Sequence, residues 1–274
     1  MSPDPKRSLK LSLGLLVALT LSACATSSSS SSPKSFAVAR VAGRTELILL
    51  GALHKAHLSS RAYSLALIER VLRQVDADVV LVEIPPDRFD GALAEVDRLG
   101  AAATADAIQD PWLSAFPELY RVVLPLRHAL GYEVVPVSGW RPIVSQHRQR
   151  YWRKHPQGPD TVSYRDATAR FQQARRDQRA SENPCWVNGP EYRRLSAAAQ
   201  QALAQSADAQ LGEAAVLKIN AAHWSFVKQA VQKHRGKRIL LIYGALHRWY
   251  LEPRLRALPA VHWLDVRHWL GCAR

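Results

Sequence analysis

Nucleotide-binding glycine motifs are absent from the sequence, and cysteines are few. Neither GxGxxG nor GxxxxGK followed by Ser or Thr occurs, so nucleotide phosphate binding has no support. The apolar stretch from Leu11 to Leu21 is too short to span a bilayer as a mature helix. The chain holds 3 cysteines in 274 residues, but it is 47% hydrophobic with 8 tryptophans. It can therefore bury a sizeable core.

The first 23 residues have the organisation of an export signal. Lys6, Arg7 and Lys10 form a basic region, and Leu11 to Leu21 follows as the apolar segment. The segment ends in Leu21-Ser22-Ala23-Cys24, and small residues before a cysteine at this place resemble the bacterial lipobox. The resemblance implies cleavage before Cys24 and lipidation of its thiol. The alternative is an ordinary secretory signal followed by an incidental cysteine.

Residues 24–36 are predicted to be a serine-rich tether. Six serines, Ser27 to Ser32, follow Ala25-Thr26, which is typical of a flexible polar spacer. Triacyl modification of Cys24 would give stable membrane attachment, because several acyl groups hold firmly where one holds weakly. Residue 25 is Ala rather than Asp, which by analogy with enteric bacteria favours the outer membrane. We therefore predict an outer-membrane lipoprotein of the bacterial cell envelope that faces the periplasm.

Basic residues outnumber acidic residues in the chain. The chain has 37 Lys and Arg against 23 Asp and Glu, a net charge of +14. Removing residues 1–23 takes away three basic residues and one acid and leaves +12. Because of the export signal we expect no nucleic-acid partner. Anionic lipid, lipopolysaccharide, peptidoglycan or an acidic ligand fits the compartment better, although the charge is most simply explained by Arg-rich, solvated helices.

The two remaining cysteines are Cys185 and Cys272. In an oxidising compartment an even pair predicts one disulfide, which would clip the C-terminus to the middle of the chain. The alternative is two free buried thiols.

Apolar runs alternate with amphipathic segments, which predicts an α/β fold. Residues 46–84 form a strand–helix–strand unit with the amphipathic helix at 63–75, most simply a right-handed parallel crossover. Further strands are predicted at 133–137, 238–243 and 261–266, and helices at 86–100, 116–130, 213–234 and after Pro253. Residues 37–274 are therefore predicted to form a single α/β domain, with a mainly parallel or mixed sheet flanked by helices. The stretch 141–212 is rich in Arg, Gln, Ala and Ser without strand-like runs, which predicts a helical insertion or cap.

One short motif occurs twice, each time after a buried strand. TELILLGALHKAH (45–57) and KRILLIYGALHRWY (237–250) both end a branched apolar run with GALH. Ligands of open α/β sheets bind at the carboxyl ends of the strands, where His54, Glu83 and His247 are all predicted to lie. Glycine permits the sharp turn, and a carboxylate such as Glu83 after four apolar residues needs a partner. The alternative is that each motif is only a strand exit.

The order of these motifs resembles the TraB/GumN/TIKI and ChaN/erythromycin-esterase superfamily. Its members share two GxxH motifs and an intervening glutamate on a mixed α/β core. Here the matching segments are strand–GALH, DVVLVEI (78–84), a long helix and RILLIYGALH (238–247), so the resemblance covers about 45–140 and 213–266. Relatives often carry an Arg–Asn or Arg–Asp pair in the helix before the last motif. This chain has Asn220 after Ile219 and lacks the arginine, unless Lys218 replaces it.

The resemblance implies two mechanisms for the same three residues. In the TIKI-like mechanism, His54, Glu83 and His247 bind a divalent metal ion, which activates water and polarises a carbonyl. In the esterase-like mechanism, one histidine is the general base and Glu83 orients it. Either mechanism implies hydrolysis of an amide or ester bond in a small-molecule or peptide ligand. The sequence does not specify the oligomeric state.

Two other classes of function remain open. The ChaN branch implies haem or iron binding, and Tyr243 and Tyr250, which flank the second GALH, are the candidate iron ligands, with Trp249 available for stacking. A catalytically silent scaffold is the third class. Ser138 to Arg141 is a candidate wall or anion contact. His57, three residues after His54, could join the site, but it is more simply expected to be exposed at a helix start. His223, His234, His262 and His268 are expected to lie on helix or strand surfaces and have no predicted role.

Overall fold

The computed structural model describes residues 38–177 and 183–273. The predicted signal peptide, the lipidation site Cys24 and residues 24–36 of the tether lie outside the described residues. Within the described part of the chain, no helix is both long enough and apolar enough to cross a membrane.

Five parallel strands form one sheet, as predicted for an α/β fold. The strands are β1 (Thr45–Ala52), β2 (Val79–Val82), β3 (Glu133–Pro136), β4 (Arg238–Gly244) and β5 (Val261–Leu264). Their order is β3-β2-β4-β1-β5, and every pair is parallel. Since β4 lies between β1 and β2, the carboxyl ends of these three strands are neighbours.

Helices cover the two faces of the sheet because its strands are apolar on both sides. Alternate side chains of β1 enter two different cores: Ile48 and Leu50 pack in one, and Leu47 and Leu49 in the other. The helices are α1 (Leu65–Val75), α2 (Phe89–Leu99), α3 (Leu124–Leu130), α4 (Pro142–Lys154), α5 (Val162–Asp177), α6 (Pro184–Val187), α7 (Pro190–Leu211), α8 (Val216–Lys233), α9 (Arg248–Arg256) and α10 (Arg267–Leu270).

The stretch from 141 to 212 contains α4 to α7 and, in its described part, no strand. A third apolar cluster holds α4, α7 and the start of α8 together, with Val144, Leu203 and Ile219 among its members. Cys185 in α6 forms a disulfide with Cys272, their Cα atoms 5.6 Å apart. The helical segment is thus attached both to α8 and to the C-terminal residues.

Two of the differences from the predicted elements have a clear local cause. The expected helix at 116–130 is a π-helical turn over Leu119–Val123 followed by α3. Pro125 in the first turn of α3 has no N–H to donate, so the regular hydrogen-bond ladder cannot run through it. The last strand ends at Leu264 instead of Val266, because the Asp265 carboxylate accepts the Arg267 N–H and starts α10.

Candidate functional site at the carboxyl edge of the sheet

The two GALH motifs lie side by side because β1 and β4 pair in register. Ala52 of the first motif is opposite Gly244 of the second. Val82, the last residue of β2, is opposite Ile242 on the other side of β4. His54, Glu83 and His247 follow these strand ends, so the predicted residues do meet at one edge of the sheet.

Glu83 is the central residue of the site. Its Oε2 accepts the Gly244 N–H at 2.7 Å and lies 3.9 Å from His54 Nε2. Its Oε1 lies 3.7 Å from His247 Nε2. Burial raises the pKa of Glu83 to about 7, against the opposing effects of His54 and of the Gly244 N–H. Glu83 therefore exchanges a proton near neutral pH.

His54 is held by a second buried carboxylate. The backbone of His54 has a positive φ of 53°. Nδ1 of His54 lies 2.7 Å from Oε1 of Glu118, and the Glu118 side chain is 1% exposed. Burial lowers the pKa of His54, but Glu118 and then Glu83 outweigh burial and raise it to about 9. His54 is thus an imidazolium at neutral pH, with Nε2 turned towards Glu83.

His247 is held by an amide instead of a carboxylate. Its Nδ1 lies 2.9 Å from Oδ1 of Asn220, whose Nδ2 donates to the Val216 carbonyl at 2.7 Å. This second bond orients the amide, so His247 Nδ1 must be the donor and Nε2 carries the lone pair. Burial, and then unfavourable electrostatic interactions with His223, Arg148 and His54, hold the pKa of His247 well below its ordinary value. His247 is therefore a neutral acceptor beside Glu83.

His223 is also part of the site, contrary to the expectation that it lies on a helix surface. Its side chain is fully buried, and its ring lies 4.8 Å from that of His247. The Gly139 N–H donates to His223 Nδ1 at 2.9 Å, so neutral His223 carries its proton on Nε2. Burial lowers the pKa of His223 to about 3, and Nε2 has no hydrogen-bond partner within the described residues.

Glu83, His223 and His247 could hold a metal ion, because one ligand atom from each lies within 4.8 Å of the others. This set contains His223 where the sequence predicted His54. His247 suits ligation, since a metal-binding histidine usually donates its other N–H to an acceptor. His223 does not suit it, because its Nδ1 accepts the Gly139 N–H and its Nε2 is protonated. The distances between the ligand atoms are therefore compatible with a metal site, whereas the hydrogen bonding of His223 argues against one.

The glycines of the two motifs make room for neighbouring side chains. A Cβ on Gly244 would lie 2.7 Å from His54 Nε2 and 3.2 Å from Glu83 Oε2. A Cβ on Gly51 would lie 2.7 Å from Cδ of Arg248. Neither glycine has a positive φ, so close approach, and not a special backbone conformation, requires glycine here.

A cavity of about 470 Å³ opens onto the site. His54, Glu83 and His247 line it, and its walls are mainly apolar and aromatic, from Trp112, Phe116, Trp140, Phe171 and Tyr192. Trp140 belongs to the predicted wall segment, whereas Arg141 of that segment pairs with Glu213 at 2.5 Å. This volume lies within the range of small-molecule sites, about 300 to 1,000 Å³.

The candidate haem ligands are not among the described residues that line this cavity. Tyr243 is buried with its ring in the apolar core, and its hydroxyl lies 3.5 Å from the Val137 carbonyl. Tyr250 stacks against Arg254, whose Cζ is 3.5 Å from the ring centroid. Asn220, the third predicted ligand-binding residue, contacts the site through His247.

His57 was expected to be exposed, and that expectation is wrong. His57 is 2% exposed, and its ring holds the turn after β1 through two hydrogen bonds. Nε2 accepts the Leu53 N–H at 2.8 Å, and Nδ1 donates to the Tyr63 carbonyl at 2.7 Å. His57 therefore supports the backbone that carries His54.

Comparisons of the chain with protein-family models, with curated proteins and with solved structures find no match. The superfamily resemblance therefore rests on the order of the motifs, and function must be argued from the site.

Proposed function

We propose that the chain is a hydrolase of an ester or amide bond, with His54, Glu83 and His247 as its catalytic residues. The observation that carries the proposal is that two imidazoles, each fixed through Nδ1, turn Nε2 towards opposite oxygens of one buried carboxylate. The protonation states support it, since neighbouring groups with separated pKa values are the usual basis of acid–base catalysis. The motif order supports membership of the TraB/GumN/TIKI and ChaN/erythromycin-esterase superfamily.

The three residues divide the work of hydrolysis between a base and an acid. Ionised Glu83, with neutral His247 beside it, takes a proton from a water molecule as the water oxygen attacks the carbonyl carbon. Protonated His54 stabilises the developing oxyanion and gives its proton to the leaving oxygen or nitrogen as that bond breaks. Transfer of a proton from Glu83 to His54 restores the starting state. The products are a carboxylic acid and an alcohol or amine.

The proposal is tested with the purified full-length chain and a panel of 4-nitrophenyl esters and 4-nitroanilides. We expect Glu83→Gln, His54→Gln and His247→Gln each to lower kcat/KM by about 10²- to 10⁴-fold. His128→Gln is the matched control, because His128 is exposed on α3. The proposal would be contradicted if each of the three single variants hydrolysed the substrates as fast as the wild type. It would also be contradicted if the wild type hydrolysed none of them.

A metal-dependent hydrolase is the second candidate, and the closeness of the ligand atoms in Glu83, His223 and His247 favours it. A bound divalent ion would act as a Lewis acid on the substrate carbonyl. Elemental analysis of the chain purified without a histidine tag separates the candidates. About one equivalent of metal that disappears in His223→Gln supports this candidate. Full activity in metal-free protein supports the acid–base mechanism.

The sequence pattern around Cys24 supports an outer-membrane lipid anchor for this hydrolase. Intact-mass spectrometry of the chain from a bacterial membrane fraction tests it. A mature chain that begins at Cys24 with added acyl mass is expected, and an unmodified Cys24 would refute the anchor.

A further inference from the structure

Two arginines of the helical segment line the cavity without a carboxylate partner. Arg148 of α4 and Arg175 of α5 are both in the cavity wall. Neither forms an ion pair with any of the described residues, whereas Arg193, Arg248 and Arg256 all pair with Glu252. Arg175 is exposed to solvent, whereas Arg148 is half-buried. A charged group in a largely apolar wall is costly unless something neutralises it, so an external anion is the natural partner for the guanidinium group of Arg148.

Aromatic rings hold both arginines beside the cavity. Arg148 Cζ lies 5.3 Å from the Trp140 ring centroid, and Arg175 Cζ lies 5.9 Å from that of Phe171. The Trp140 ring is itself fixed, since its Nε1–H donates to Ser145 Oγ at 3.0 Å. Stacking leaves the N–H groups of a guanidinium free to bind an anion in its plane.

The charge of Arg148 also reaches the proposed site, because it contributes to the lowered pKa of the catalytic residue His247 and of its neighbour His223. Glu83 is the single carboxylate among the described residues that line the cavity. The rest of the wall is mainly apolar. The cavity therefore combines a largely apolar lining, the Arg148 guanidinium and the proposed hydrolytic residues.

We propose that the cavity selects amphipathic anions, and that Arg148 binds the carboxylate or phosphate of a substrate whose apolar part packs against Trp112 and Phe116. Trp112 and Phe116 are stacked with their centroids 4.0 Å apart, which gives the cavity a flat apolar surface. The inference rests on the proposed function in that this cavity is taken as the substrate site. Binding can nevertheless be measured without turnover.

The test is isothermal titration calorimetry of the full-length chain with octanoate, octyl phosphate and octanamide. These probes share an apolar tail, and octanamide is the neutral counterpart of octanoate. One charge-assisted hydrogen-bond pair is worth about tenfold in affinity. We expect octanoate or octyl phosphate to bind about tenfold tighter than octanamide, and the tighter of the two identifies the anionic group.

Variants of α4 assign this preference to a residue. Arg148→Gln is expected to abolish the preference for the anion while leaving octanamide binding unchanged, and Arg148→Lys to retain part of it. Arg153 is exposed on the same helix, so Arg153→Gln removes an equal charge away from the cavity. This control variant is expected to retain the preference for the anion. Circular dichroism confirms that each variant is folded.

Three results would overturn the inference. The first is equal binding of octanoate, octyl phosphate and octanamide to the wild type, and the second is an anion preference that survives in Arg148→Gln. The third is an Arg148→Gln variant whose kcat falls while its octanoate affinity is unchanged, since Arg148 would then act on the transition state alone. Failure to hydrolyse any ester would refute the proposed function but not this inference, because the calorimetry needs no catalysis.

Discussion

Replacing Glu118 by Gln should change the charge of His54 without removing its hydrogen-bond acceptor. The pKa of His54 is raised from 6.5 to about 9, and a difference of one in pKa corresponds to about 1.4 kcal/mol. The fold thus favours protonated His54 by about 3 kcal/mol. Because the side chain is 32% exposed, solvent screening reduces the part that appears as stability to roughly 1 to 2 kcal/mol.

The sign of the pH dependence follows from the raised pKa. A histidine whose pKa is higher in the folded state stabilises the fold fully below pH 6.5, and this contribution is lost as the pH rises through about 9. At pH 6 the free energy of unfolding of the wild type should therefore be higher than that of Glu118→Gln. This difference should shrink towards pH 10, and urea denaturation at several pH values measures it.

Nuclear magnetic resonance titration of the His54 Cε1–H measures the pKa directly. In Glu118→Gln we expect the pKa of His54 to fall by at least one, because Glu118 makes the largest contribution that raises it. Glu69→Gln is the control, since Glu69 lies on the exposed side of α1 and pairs with Arg73. An unchanged pKa of His54 in Glu118→Gln would refute the assignment of Glu118 as its partner.

Three further substitutions test the surroundings of the site. Gly244→Ala should lower kcat/KM about 100-fold, because the new Cβ displaces His54 from Glu83. The control Gly91→Ala, with open space around its Cβ position, should leave kcat/KM unchanged. Cys185→Ser should lower the free energy of unfolding by about 2 to 5 kcal/mol in urea titrations, because it opens a covalent loop between residues 87 apart in sequence. Tyr250→Phe should leave the absorption spectrum of a haemin titration unchanged, since the ring is outside the cavity wall; a change would restore the predicted haem-ligand role of Tyr250.

The strands and the relation between the two motifs could be predicted from the sequence because their signals are local. Buried parallel strands appear as continuous branched apolar runs, and β1, β2 and β4 all do. That His54, Glu83 and His247 gather at one edge follows from the parallel arrangement alone. The strand order is different, since it depends on long-range contacts between β4 and its two neighbours that no local pattern contains.

Glu118 and His223 were missed because their roles depend on packing between helices and the sheet. His223 lies three residues after Asn220 on α8, and residues at that spacing share one face of a helix. Once Asn220 is placed beside His247, the same face carries His223 into the site. Glu118 precedes an apolar run in the sequence, as an acid in a buried segment would. Its partner His54 is 64 residues away, and no spacing rule connects them.

The repeated GALH thus builds two histidines that share one motif and differ in their chemistry. Both turn Nε2 towards Glu83, but His54 rests on the Glu118 carboxylate and His247 on the Asn220 amide. A carboxylate stabilises the imidazolium, whereas an amide oxygen orients the ring without supplying a charge. The partners therefore make His54 the acid and leave His247 neutral, and they do so from helices outside the repeat. The motif positions the two rings, and the surrounding helices decide what each ring does.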